Sequence, residues 1–143
     1  MPQVDRIVDV LGGAAILKRP VKSWRDLEDV VNEGLPKRAL QAMATRALPH
    51  GAPTGPLVYR VVPIATFKRR TRLTPEESAR TERLARVVAL AEALWDERDD
   101  ARAFLNTPHP LLDGRTPLDV AATELGARRV ERLLQDVDHG LPL

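Results

Sequence analysis

Residues 73–95, LTPEESARTERLARVVALAEALW, decide the fold. Thr74 has the chemistry of a helix N-cap, Pro75 suits the first helical position, and Glu77 stands where it completes a capping box. Leu84, Val87, Val88, Ala91, Leu94 and Trp95 then follow at steps of 3, 1, 3, 3 and 1. That spacing places them on one continuous face of a helix. A long amphipathic helix is therefore expected in the middle of the chain, and the remaining segments are read as its partners.

Downstream, residues 96–99 form a polar turn, and residues 101–105 form a short helix presenting Phe104 and Leu105. Residues 106–115 form a loop punctuated by Pro108, Pro110 and Gly114. Thr116 caps another helix with Pro117 at its first position. After a break near Gly126, Val130, Leu133, Leu134 and Val137 stripe a last helix that Gly140 stops. Upstream, Val4, Ile7, Val8 and Leu11 share helical spacing before Gly12-Gly13. Ser23 caps a helix, with Asp26 reaching back, that carries Leu27, Val30 and Val31 inward and stops at Gly34. Pro36 opens the next, with Leu40, Met43, Ala44 and Ala47 buried. Between Pro49 and Pro63, LVYRVV fits either a short strand or a short helix begun at Pro56.

Composition agrees with helices. Leu (20), Ala (18) and Val (14) dominate the apolar residues, with only five aromatics among 143 residues. Leu and Ala are strong helix formers. An all-α fold is expected, with a boundary near residues 70–74. No apolar run approaches the ~18 residues of a membrane span, and the opening MPQVDRIVDV lacks a signal-peptide pattern, so a soluble cytoplasmic protein is expected.

The net charge of +2 hides an asymmetry: residues 1–72 hold 13 Lys and Arg against 6 Asp and Glu, and residues 73–143 hold 9 against 14. A basic half suits polyanions and an acidic half suits a basic partner. Chemistry of an enzymatic kind has little to work with. Cysteine is absent, which removes disulfides and thiolate sites. His50, His109 and His139 are too far apart for a metal or catalytic motif and read as surface or capping groups. Gly12-Gly13 through Lys18 lacks the spacing of a phosphate loop and reads as helix punctuation. Asp96, Glu97, Asp99 and Asp100 lack the alternation of a calcium loop and read as a solvated turn. The sequence predicts no enzyme, no cofactor and no metal site.

The run from Ile64 to Arg72, IATFKRRTR, has more content. A helix-turn-helix sets a short second helix in the DNA major groove, with Lys and Arg on phosphates around it. Residues 63–70 suit that role if Ile64 and Phe67 form a buried pair. Thr66, Lys68, Arg69 and Arg70 then make the exposed DNA-binding face.

At this point residues 73–143 resemble the toxin-binding domain of Xre/MbcA/ParS-type antitoxins, through LTPEES, RLARVVALAEALW, AFLNTPHPLLDGRTPLD and TELGARRVERLLQDVDHGLPL. Residues 1–72 resemble the family's N-terminal Xre-like helix-turn-helix domain, through LGG, LEDVVNEGLPKRAL and VVPIATFKRR. HGAPTGPLVYRV departs from the polar helix that members usually carry before the recognition turn. The resemblance implies the antitoxin of a type II toxin–antitoxin pair. Its partner would be a RES- or ParT-type toxin of ADP-ribosyltransferase-like fold that consumes NAD or transfers ADP-ribose. It implies inhibition by a C-terminal segment directed into the NAD pocket, here His139, Gly140, Leu141, Pro142 and Leu143. It further implies operon autorepression through operator DNA and a homodimer within a toxin–antitoxin hetero-oligomer. The alternative is a stand-alone helix-turn-helix regulator whose C-terminal half only dimerises.

Overall fold

The structure, a computed structural model, describes residues 3–140. Among these residues there are ten α-helices, one 3-10 turn and no β-strand, so the fold is all-α. In chain order the helices are α1 (Val4–Val10), α2 (Gly13–Leu17), α3 (Trp24–Glu33), α4 (Lys37–Ala47), α5 (Gly55–Val61), α6 (Ile64–Arg69), α7 (Pro75–Leu94), α8 (Arg98–Asn106), α9 (Pro117–Val120) and α10 (Glu124–Asp138). The ambiguous LVYRVV segment is helical, within α5. No helix among the described residues is long and apolar enough to cross a membrane.

Most of the longer helices pack on α7. Its start matches the expected chemistry: Thr74 Oγ1 accepts from Glu77 N (3.1 Å) and Glu77 Oε1 accepts from Thr74 N (2.9 Å). The apolar stripe is buried at Leu84, Val87, Val88 and Ala91, but Ala85, Ala89 and Leu90 are buried as well. A helix covered on nearly all sides belongs to the interior of a fold. A single-face reading misses this because small alanines score as neutral, yet they let neighbouring helices approach. α1, α3 and α4 pack against α7 from the first half of the chain, and α8 and α10 pack against it from the second. One apolar cluster runs through both halves, from Val4 to Leu134.

Polar groups complete the joint. Leu35 N donates to the fully buried Ser78 Oγ (2.8 Å), and Thr81 Oγ1 donates to Glu77 O (2.9 Å). The segment after α3 also pairs with the entry to α7: Lys37 N donates to Thr71 O (3.0 Å), and Leu73 N donates to Leu35 O (2.8 Å). Gly34 makes this pairing possible. Its φ is +99°, and a Cβ there would overlap the Leu73 carbonyl oxygen.

Three arginines of the first half pair with carboxylates of the second. Arg46 grips Glu92 through Nε (2.7 Å) and Nη2 (2.8 Å) while also reaching Asp9 (2.8 Å). Arg60 donates to Asp119 (2.6 Å), and Arg70 makes two bonds to Glu77 (2.9 and 3.0 Å). The charge asymmetry of the sequence is thus partly satisfied inside the molecule. Arg102 and Asn106 on α8 also cap α4, donating to the carbonyls of Arg46 (3.0 Å) and Ala47 (2.9 Å).

The seam between α7 and α10 holds a charged trio. Arg86 Nε lies 2.9 Å from Glu131 and its Nη1 lies 4.0 Å from Glu82. Among the described residues Glu82 Oε2 and Arg86 Nε lack a well-directed hydrogen bond, so charge rather than geometry holds the group. Burial pushes the Glu82 carboxyl up, against the pull of Arg86.

Gly126 departs from its expected role as a break. It lies in the first turn of α10, where its N–H donates to the cap Thr123 Oγ1 (3.0 Å). A Cβ at this position would overlap the Val120 carbonyl oxygen, so glycine is needed for close approach to the end of α9. Gly126→Ala is predicted to destabilise the fold by about 3 kcal/mol in chemical unfolding. Alanine is the better helix former by about 1 kcal/mol, so a stabilised variant would refute the packing explanation.

Glu77 supports a second prediction. Burial raises its pKa, but the bonds from Thr74 N and Arg70 outweigh this and hold the carboxyl below its ordinary value. Its contribution is therefore complete above the unfolded pKa of about 4.3 and is lost as pH falls through the lower folded value. Glu77→Ala should cost about 2 kcal/mol at neutral pH. Its difference from the parent protein should shrink below about pH 4, as measured by unfolding across a pH series.

Candidate protein and nucleic-acid interfaces

The basic segment forms α6, entered through Pro63 as N-cap. Ile64 and Phe67 do not form the expected buried pair: Ile64 is 47% exposed, and no residue of α6 is fully buried. A helix under two turns long does not dictate which of two apolar residues packs, and here groups outside the segment decide. Tyr59 meets the Phe67 ring edge-on at 6.0 Å, and Lys37 Nζ sits 5.0 Å from its centroid while donating to Phe67 O (3.0 Å). Of the four residues read as a DNA-binding face, Lys68 and Arg69 are exposed and Thr66 is half-buried. Arg70 is fastened to Glu77 on α7. The structure thus sets a two-cation tip, Lys68 and Arg69, on a helix anchored through Phe67 and Arg70.

At the other end, α10 buries Ala127, Val130, Leu133 and Leu134, while Val137 is only half-buried. The helix closes at His139, whose N–H donates to Gln135 O (3.0 Å). Gly140 N then donates to Val137 O (2.9 Å), with φ at +83°, so the chain leaves the helix axis there. His139 and Gly140 are exposed. Leu141, Pro142 and Leu143, the rest of the segment read as toxin-binding, lie outside the described residues.

The loop between α8 and α9 is more ordered than its prolines imply. His109 and Arg115 form an antiparallel bridge, with His109 N donating to Arg115 O (3.1 Å). His109 Nδ1 accepts from Leu111 N (3.1 Å), so this histidine caps the 3-10 turn Pro110–Leu112. The turn sends the two adjacent leucines to opposite sides: Leu112 is buried at 2% exposure, and Leu111 is 60% exposed.

Leu111 faces a second exposed leucine, Leu125 at 73%, across an open groove of about 470 Å³. Arg128, Arg129 and Arg132 of α10 line its rim. Each guanidinium has a carboxylate nearby, Glu124 (3.3 Å), Asp113 (3.1 Å) and Asp136 (3.7 Å) respectively. Exposed pairs of this kind are worth only about 0–1 kcal/mol and exchange partners readily. Arg128 holds the Glu124 carboxyl below its ordinary value. The acidic excess of the second half lies elsewhere, partly in Asp96, Glu97, Asp99 and Asp100 around the start of α8, all exposed.

The groove was not among the residues read from sequence as functional. A signal for it exists: Leu125 lies off the Val130–Leu133–Leu134 stripe, with arginines three, four and seven residues ahead of it. A lone exposed leucine is ordinary on a protein surface, and it is the fold, by setting Leu111 on the same groove, that makes a patch of it. Among the described residues, no three His, Asp or Glu side chains are grouped to hold a metal ion.

Comparison with known proteins bears on this second half. Residues 90–140 match the model of the Antitoxin Xre/MbcA/ParS C-terminal toxin-binding domain. The chain is 33% identical over 88 residues to the protein named Antitoxin Xre of Pseudomonas putida (strain KT2440), an alignment covering 59% of this chain and 55% of that protein. The chain therefore matches about half the length of that curated relative. The segment that matches the domain model holds the last part of α7, the ordered loop, the groove and all of α10.

Proposed function

We propose that this chain is the antitoxin of a type II toxin–antitoxin pair. The observation that carries the reading is the match of residues 90–140 to a toxin-binding domain. The proposed partner is a RES- or ParT-type toxin of ADP-ribosyltransferase-like fold that consumes NAD or transfers ADP-ribose. Inhibition proceeds by obstruction. Residues 139–143, extended, reach about 16 Å, far enough to enter a pocket and lay the apolar Leu141-Pro142-Leu143 against its wall. A plug of this sort needs no reactive group of its own.

The second role we propose is autorepression of the operon by residues 1–72, with residues 73–143 serving toxin binding and both built on one core. The exposed Lys68 and Arg69 on α6 are the observation that supports DNA contact, with the half-buried Thr66 beside them and Arg70 holding the helix to Glu77. A homodimer would present two such faces to a symmetric operator.

Removing residues 139–143 should abolish protection of cellular NAD or of the toxin's target while leaving the melting temperature within about 2 °C, because His139 and Gly140 are exposed. Full protection by the truncated chain would rule out the plug. Lys68→Glu with Arg69→Glu should eliminate operator binding in a mobility-shift assay and leave toxin inhibition intact. Loss of both activities together would favour the stand-alone regulator. Arg70 is left unchanged in that variant, since reversing it would set two carboxylates together beside Glu77.

A further inference from the structure

The groove beside α10 adds a surface to the proposed inhibition that is separate from the C-terminal segment. The geometry points to it as the docking face for the toxin, taking an apolar side chain of the partner between Leu111 and Leu125 and partner carboxylates on Arg128, Arg129 and Arg132. This rests on the antitoxin reading above.

Four observations converge. Leu125 and Leu111 are more exposed than any other large apolar side chain among the described residues, at 73% and 60%, and they share one groove. Both are fixed by ordered backbone: Leu125 stands in the first turn of α10, and Leu111 stands on the bridge-closed 3-10 turn. A surface held in place before binding loses little entropy on association.

The rim chemistry selects the occupant. The three guanidinia offer planar, forked donors suited to carboxylates, and their present partners are exposed and weakly held. Charges placed so govern encounter rate and register, while the leucines supply the desolvated centre. The partner chemistry is therefore an apolar residue flanked by acidic ones.

Position links the groove to the plug. Leu125 begins the helix whose far end is His139, about 20 Å along the axis at 1.5 Å per residue. Asp136, one turn before that end, also lines the groove. A partner seated on the groove therefore lies alongside the helix that delivers the C-terminal segment. Docking and obstruction become two contacts of one interface, the first raising the effective concentration of the second.

The test titrates the proposed partner, a purified RES- or ParT-type toxin, with the whole chain by calorimetry. Leu111→Asp with Leu125→Asp should weaken binding by about 100-fold, with an unchanged far-ultraviolet circular dichroism spectrum, because both side chains are exposed. Arg128→Glu with Arg132→Glu should weaken binding by about tenfold at low ionic strength and converge on the parent affinity in 0.5 M salt. This pair decides the question should the leucine variant misfold. A chain lacking residues 139–143 should still bind and should lose that residual binding on adding the leucine substitutions. Affinity within about twofold of the parent for folded leucine and arginine variants would overturn the docking face alone. So would a dimer-to-monomer change in sedimentation of the leucine variant with toxin affinity intact, which would assign the groove to a second copy of the chain. Failure of the unaltered protein to bind the toxin would overturn the antitoxin reading itself.

Discussion

The burial of α7 on nearly all sides is the constraint from which the other features follow. The stretch Leu84–Ala91 of this twenty-residue helix buries all its residues but Arg86, so other helices must surround it. The chain surrounds it from both sides of its own sequence position. Full burial of a valine or leucine side chain is worth about 1.5–3 kcal/mol, and α7 supplies several, among them Leu84, Val87 and Val88. Exposed ion pairs are weaker by a factor of several. The cross-half arginines therefore do not hold the molecule together so much as fix how the pieces are oriented. Arg46 and Arg70 are the exceptions in geometry, since each makes a bidentate grip on a mostly buried carboxylate, Glu92 and Glu77 respectively.

The same arrangement explains what the sequence disclosed and what it concealed. Helix starts were legible wherever a cap acts locally. Thr74, Thr116 and Ser23 all accept a backbone N–H three residues on, because that chemistry depends only on neighbours in the chain. Asp26 shows the limit of such reading, since its carboxylate reaches Lys22 N (3.0 Å), one residue beyond the expected cap. Side-chain placement in short helices was concealed. The exposure of Ile64 depends on Tyr59 and Lys37, which no periodicity in residues 63–70 encodes. Gly126 was misread because glycine near a helix start is ordinarily a breaker, whereas here the end of α9 leaves no room for a side chain.

Charge was the most instructive of these cases. A basic half and an acidic half suggest two external partners, and part of that difference is resolved internally through Arg46, Arg60 and Arg70. What remains outward falls into local patches, among them two cations on α6, an acidic cluster at the start of α8, and the α10 guanidinia beside Leu111 and Leu125. Half-chain totals average over these patches. Only the fold separates the charges that meet one another from those left facing solvent.

The pairing of residues 35–37 with residues 71–73 has a consequence for how such proteins diversify. It joins the end of α3 to the entrance of α7 through backbone bonds and the tight approach of Gly34 to Leu73, so the two halves meet along a seam and not across a loose tether. Recombination cutting at that point would hand each product half of a helix surface shaped for someone else's neighbours. Exchange of the basic half between relatives must therefore bring along matching residues on α7, notably Ser78, which accepts from Leu35 N. The two halves of the chain are, by this route, inherited together.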